Sequence, residues 1–443
     1  MKRLVLVALA CLVASCSSTP VPAQTPVAPA TDRIGALAVV APPPAVAPLP
    51  TVAPPPVEAS AKPESLTRRR PLVTAPMQMA RVGPAVIAID DEVYAIGGEN
   101  AEGPLRSMEE WNPDRERWIA VERMKMKVPR VRHTATVLED GQFLVAGGGG
   151  DHPDSRLAEL WDGAHFVPAG RMLSARSRHT ATRLQDGRVL VIGGRDQRGI
   201  PIGDAEIWDP KSRTWHRAGR LIQARCCHTA TLLRDGRVLV VGGLVTGECT
   251  VWGDEKPKPP CYRSVDSVEI WDPKTSRFTA GPGLGDNEDR AAHTATLLND
   301  GRVLIAGGAP NDGDGDPYTL HDLVWEPATS TWHVIEQGAF RVYHTATLLP
   351  DGSVLAIGGA RDTCGCCKVV PGSGPYASPI KLFDPATNLW RIVGESLEVR
   401  DRHGAVALSD GSVLVVGGES QEWGHRDAPF ATTERWMPHD QKD

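Results

Sequence analysis

Six of the thirteen histidines and seven of the nine cysteines are the residues of this 443-residue chain with most scope for chemistry. His133, His179, His228, His293, His344 and His403 recur in one context, each followed by Thr-Ala-Thr except the last, where Gly404-Ala405-Val406 follows. A ring of imidazoles has the donor chemistry to bind a metal. A residue repeated six times is more economically framework, each ring donating to neighbouring backbone, so no metal is expected on this central ring. Cys226, Cys227, Cys249, Cys261, Cys364, Cys366 and Cys367 form the second set. In an exported protein disulfides are the default. Cys249 and Cys261 bracket a Pro-rich insertion and are expected to staple it, worth about 2–4 kcal/mol to that loop. Cys364-Gly365-Cys366-Cys367 lacks the paired Cys-x-x-Cys spacing of a zinc site. Asp312, Asp314 and Asp316 alternate as in a calcium loop. Pro317 then stands where such a loop needs Gly, and no Glu closes it, so a solvated acidic loop is the expectation. Neither a phosphate-binding Gly-rich loop nor a Ser-His-Asp signature is found, and no cofactor is predicted.

The elements that must position these residues are plain. Each repeat His leads into an Asp-Gly pair, at 140/141, 186/187, 235/236, 300/301, 351/352 and 410/411, and then an apolar run ending in Gly-Gly. Asp-Gly between two β-rich runs is a hairpin, because Gly accepts φ > 0. The first strand is small, as where strands crowd an axis, and the second (Val238-Leu239-Val240-Val241) is apolar on both faces and so buried on both. A third strand ends in Trp208-Asp209-Pro210 or a relative of it, and another aromatic (Trp215 in that copy) follows seven residues later on a fourth strand. Gly97-Gly98 closes a weaker seventh copy that begins near Val82.

Four antiparallel strands in each repeat of about 50 residues resemble the kelch-type β-propellers. The fold expected is therefore an all-β, seven-bladed kelch-type propeller over residues 67–438, with a tail at 439–443. The last repeat offers Ala431–Trp436 as a third strand and no fourth, so Pro71–Ala75 is expected to complete that blade. Ten of the twelve tryptophans occupy the two framework positions and are read as blade packing. Loops between second and third strands vary most in length, which marks their face as the binding surface.

The N-terminus reads as an export signal. Lys2 and Arg3 precede a ten-residue apolar run, too short to span a membrane. Val13-Ala14-Ser15-Cys16 then resembles the lipobox of bacterial lipoproteins, which implies a signal peptide at 1–15, lipidation of Cys16 and sorting to the outer membrane. Residues 16–66 are rich in Ala and Pro and are expected to be an extended, disordered tether.

The net charge of −6 excludes a strongly basic nucleic-acid protein. Arg341-Val342-Tyr343-His344 resembles the copper-ligating Tyr-His stretch of galactose and glyoxal oxidases, but the residues before the other repeat histidines are Arg132, Arg178, Cys227, Ala292 and Arg402. The oxidase constellation is incomplete, and a copper-dependent oxidoreductase is the second reading. The first is a monomeric, non-catalytic module, anchored to the membrane by its lipid, that binds a protein or a glycan. Its contact surface is expected on the loops carrying Trp252, Tyr262, Cys364, Cys366, Cys367 and Tyr376.

Overall fold

The computed structural model describes residues 71–120, 122–247, 261–310, 320–335, 338, 341–360, 379–422, 425–426 and 428–437. Seven four-stranded antiparallel sheets are arranged as blades of a β-propeller, and the first strands of successive blades touch around a closed ring. Blade three is representative. Thr180–Arg183, Val189–Ile192, Asp204–Asp209 and Thr214–Arg220 pair in chain order from the axis outward. The seventh blade closes as expected: Gly404–Ala407, Val413–Val416 and Thr433–Trp436 take Leu72–Thr74 as their outer strand, with Val73 opposite Glu434. Ring and blade are thus sealed by the two ends of one domain, which leaves that sheet no unpaired edge at Thr433–Trp436.

The core lies between blades rather than within them. Every residue of the seven second strands is buried, save Glu92 at the start of the first. Alternate side chains face opposite neighbours: Leu144 and Leu160 of blade two meet Val189, Val191 and Trp208 of blade three, while Leu190 and Ile207 face Val238 and Trp271. In blades one, two, five and six the framework aromatics meet as inclined pairs, for instance Trp325–Trp332 at 4.8 Å and Phe383–Trp390 at 5.2 Å between ring centroids. At the seam, a Cβ on Gly404 would fall 2.0 Å from Val86 of blade one. That crowding explains why the seventh copy departs from His-Thr-Ala-Thr.

Two-stranded ribbons rise from the loops after the second strands of blades one, four and seven, at Glu99–Asn100/Gly103–Pro104, Leu244–Thr246/Tyr262–Ser264 and Gln421–Glu422/His425–Arg426. Among the described residues, no helix is long and apolar enough to cross a membrane.

Candidate functional site

The repeat histidines are locks between blades. Nε2 of His179, His228, His293, His344 and His403 hydrogen-bonds Oγ1 of the Thr that follows the preceding blade's His, at 2.9–3.0 Å: Thr134, Thr180, Thr229, Thr294 and Thr345. The partner is therefore a threonine hydroxyl of the neighbouring blade, not backbone as the sequence had suggested. His133, His179, His228, His293 and His403 lie against the first Gly of the preceding blade's Gly-Gly pair; a Cβ on Gly193 would stand 2.9 Å from His228 Cε1. His133 has no such hydroxyl, because Ala85 stands where the other blades have threonine. Burial, reinforced by nearby arginines, holds His133, His228, His293 and His403 down to about 3, and His179 and His344 well below their ordinary value. These rings are neutral.

A recurrence that was passed over in the sequence completes the lock. Arg81, Arg130, Arg176, Arg225, Arg290, Arg341 and Arg400 stand three residues before each His or, in blade one, before Pro84, and all are buried. Each guanidinium donates to the carbonyl of the first Gly of its own Gly-Gly pair, as Arg225 does to Gly242 at 2.9 Å. In five blades it also meets a glutamate two residues before the third-strand Trp: Arg81–Glu109 at 2.9 Å, Arg130–Glu159 at 2.7 Å and Arg225–Glu269 at 2.8 Å, with Arg176–Glu206 and Arg400–Glu434 alike. The signal was available as Arg-x-x-His together with Glu-x-Trp.

Between Arg and His lies the residue that forms the site. Gly83, Arg132, Arg178, Cys227, Ala292, Tyr343 and Arg402 all have φ between 50° and 60°. Their backbones join blade to blade: Arg178 N–H donates to Arg132 O (3.0 Å), Cys227 to Arg178 (3.1 Å), Tyr343 to Ala292 (3.3 Å), Arg402 to Tyr343 (3.1 Å) and Gly83 to Arg402 (2.8 Å). Such a left-handed conformation is costly for residues with side chains. Here five such hydrogen bonds, in two runs (Cys227–Arg178–Arg132 and Gly83–Arg402–Tyr343–Ala292), hold it, and the result is a collar around the axis.

The collar's side chains are chemically active. The Arg402 guanidinium lies over the Tyr343 ring, 4.7 Å from its centroid, and pairs with Glu419. Cys226 and Cys227 are free thiols, contrary to the disulfide expectation, with their sulfurs 3.2 Å apart. As a thiolate Cys227 accepts from the Cys226 S–H and from Arg178 3.6 Å away, which holds the Cys227 thiol down to about 6 and pushes Cys226 up. Cys261 is disulfide-bonded, while its expected partner Cys249 lies outside the described residues. Cys16, Trp252, Asp312, Asp314, Asp316, Cys364, Cys366, Cys367 and Tyr376 lie outside them as well.

Tyr343 and His344 do not present a copper donor set. His344 Nε2 is committed to Thr294 and Tyr343 is covered by Arg402. Among the described residues, no group of three or more His, Cys, Asp or Glu is placed to hold a metal ion.

Of Trp252, Tyr262, Cys364, Cys366, Cys367 and Tyr376, only Tyr262 is among the described residues, and it reaches the site. It lines a cavity of about 390 Å³ beside the collar, together with Arg132, Arg195 and Arg198.

Two segments of the chain, residues 80–125 and 176–221, match the Kelch motif. Human influenza virus NS1A-binding protein is 38% identical over 80 residues, which is 18% of this chain and 12% of that protein. Rat Kelch-like protein 36 is 28% identical over 160 residues, 36% of this chain and 24% of the relative. The matched stretch spans a quarter or less of the length of these curated relatives. A solved fungal alcohol oxidase of the AA5 family, in complex with copper, superposes with a TM-score of 0.59 at 17% identity, over 83% of this chain and 76% of its own. That likeness concerns the fold alone. Repeats, blades and comparisons agree on a kelch-type β-propeller.

Proposed function

We propose that this kelch propeller is a non-catalytic recognition module, held at the outer membrane of a bacterial envelope by acylated Cys16 and the tether at 16–66, with its collar face binding a protein or a glycan. The observation that carries the reading is the collar itself. It holds charged and aromatic side chains on backbone that is already fixed, so little conformational freedom is lost when a ligand docks. The residues an oxidase would need are spent on blade locking instead: His344 bonds Thr294. One relative is named for binding the NS1A protein, which favours recognition over catalysis.

Purified protein is expected to contain no stoichiometric copper and to release no peroxide from primary alcohols or aldehydes. Copper at one per chain with peroxide production would overturn the reading in favour of the oxidoreductase. For anchorage, Cys16→Ser is expected to move the protein from the membrane to the soluble fraction of exporting cells. Identical fractionation of wild type and variant would remove the lipid anchor from the proposal.

A further inference from the structure

The collar carries more positive charge than its own carboxylates neutralise. Arg132, Arg178 and Arg402 stand on it, and Arg195, bridged to Ser177 through the backbone, adjoins them from blade three. Arg402 has Glu419, and Arg132 lies a loose 3.8 Å from Glu99. Arg178 and Arg195 have no carboxylate within ion-pair distance among the described residues. Arg178 Nη1 donates to the Cys227 sulfur at 3.6 Å, whose lowered thiol gives that guanidinium its anion, so the uncompensated charge falls on Arg195. Arg195 Nη1 donates to the Tyr262 hydroxyl at 3.5 Å. Burial first, then the charges of Arg178, Arg195 and Arg402, pull Arg132 down to about 10. Like charges packed together at partial burial are costly unless something anionic joins them.

The space for it is already built. The cavity beside the collar, about 390 Å³, takes Arg132, Arg195 and Arg198 into its wall. That volume lies in the range of small-ligand sites. Its other walls are polar and pinned. Asp196 accepts hydrogen bonds from the backbone of Arg198 (2.9 Å) and Ile200 (2.8 Å). Gln197 Nε2 donates to Gly150 O at 2.9 Å, and the Tyr262 hydroxyl donates to Gly199 O at 2.7 Å. Asp151 lines the mouth, so three arginines face two carboxylates. Guanidinium groups favour carboxylate and phosphate oxygens, and hydroxyl-rich ligands suit Asp, Gln and Tyr walls.

We infer that this cavity binds an acidic sugar unit, its carboxylate or phosphate held between Arg132 and Arg195. The inference rests on the recognition reading and gives that reading a ligand class. A peptide is disfavoured because the cavity's volume suits one small unit and not an extended chain.

Isothermal titration of the full chain at low ionic strength, with glucuronate, glucose 6-phosphate, glucose, inorganic phosphate and a hexaglutamate peptide as probes, decides the matter. Both acidic sugars are expected to bind, glucose not to bind, and affinity to fall as salt is added. Arg195→Gln and Arg132→Lys are each expected to weaken binding about tenfold or more. Their melting temperatures should be no lower than that of the wild type, since repulsion is relieved or unchanged; a structural role for these arginines would show as a lowered melting temperature. Glucose binding as well as glucuronate, or no acidic sugar binding, would overturn the inference. Inorganic phosphate binding as tightly as glucose 6-phosphate would show an adventitious anion site only, and tighter binding of hexaglutamate would make the ligand a protein. If the sugars fail while the protein lacks copper and oxidase activity, recognition stands and only the ligand class falls. If copper and peroxide appear, recognition falls whatever the sugars do.

Discussion

At the scale of single residues, the buried arginines show how a repeat spends its charge. Arg176 is sealed from solvent and shares Glu206 with the backbone N–H groups of Leu173 (2.6 Å) and Ser174 (3.0 Å), so one carboxylate joins a blade's third strand to the link that leads into it. Removing the carboxylate leaves a buried cation and two donors without their acceptor. Glu206→Ala should therefore lower the unfolding free energy by about 3–5 kcal/mol, measured by urea denaturation, and Glu206→Gln by less because an amide oxygen still accepts. Equal stability of wild type and alanine variant would show that the pair locks nothing. Blade six shows the alternative. Lys381 stands in the glutamate's place, and Arg341 turns to carbonyls instead, Pro379 O at 2.7 Å and Gly358 O at 3.2 Å, with burial holding it down to about 10.

At the scale of strands and loops, most of the fold is legible because each element carries its own physics. Asp-Gly specifies the inner hairpin, apolar four-residue runs specify strands buried on both faces, and Trp-Asp-Pro ends a third strand. Even the closure by Leu72–Thr74 follows from counting strands in the last repeat. The candidate site was less legible. Its residues occupy the collar position, where composition varies freely from Gly83 to Arg402 while the backbone conformation is constant. A left-handed φ held by backbone hydrogen bonds between blades leaves no mark on residue type, so the position read only as the residue before a histidine. The thiols of Cys226 and Cys227 were misread for a related reason. Adjacent cysteines in an exported chain suggest pairing elsewhere, yet the collar turns one sulfur toward the other and both toward Arg178. Tyr262 was named for its place beside a cysteine-bracketed insertion, and the ribbon Leu244–Thr246/Tyr262–Ser264 is what carries it to the cavity.

At the scale of the whole molecule, the ring is held by seven similar interfaces, and six of the blades contribute a neutral histidine to them. This makes stability a function of pH with a definite sign. In the unfolded chain a histidine titrates near 6.5. In the propeller, burial and the neighbouring arginines hold four of them down to about 3 and the other two well below their ordinary value. Between those values the unfolded chain binds more protons on these rings than the folded one, so the histidines' contribution to stability is fully present above about 6.5 and is lost as pH falls toward 3. Each histidine contributes up to about 1.4 kcal/mol per pH unit within that window, and six act together. Carboxylates whose folded values are lowered, such as Asp154 at about 2, have the same sign but act only below their unfolded value near 4. Loss of stability that begins near 6.5 therefore belongs to the histidines. Urea midpoints measured at pH 7.5, 6.5, 5.5 and 4.5 should fall progressively from the second value onward. His228→Gln, which removes one titrating group, should flatten the slope by roughly a sixth whatever it does to stability at neutral pH. Midpoints unchanged between pH 7.5 and 5 would mean that the rings take up protons in the folded state, and the blade locks would then have to be charged rather than neutral.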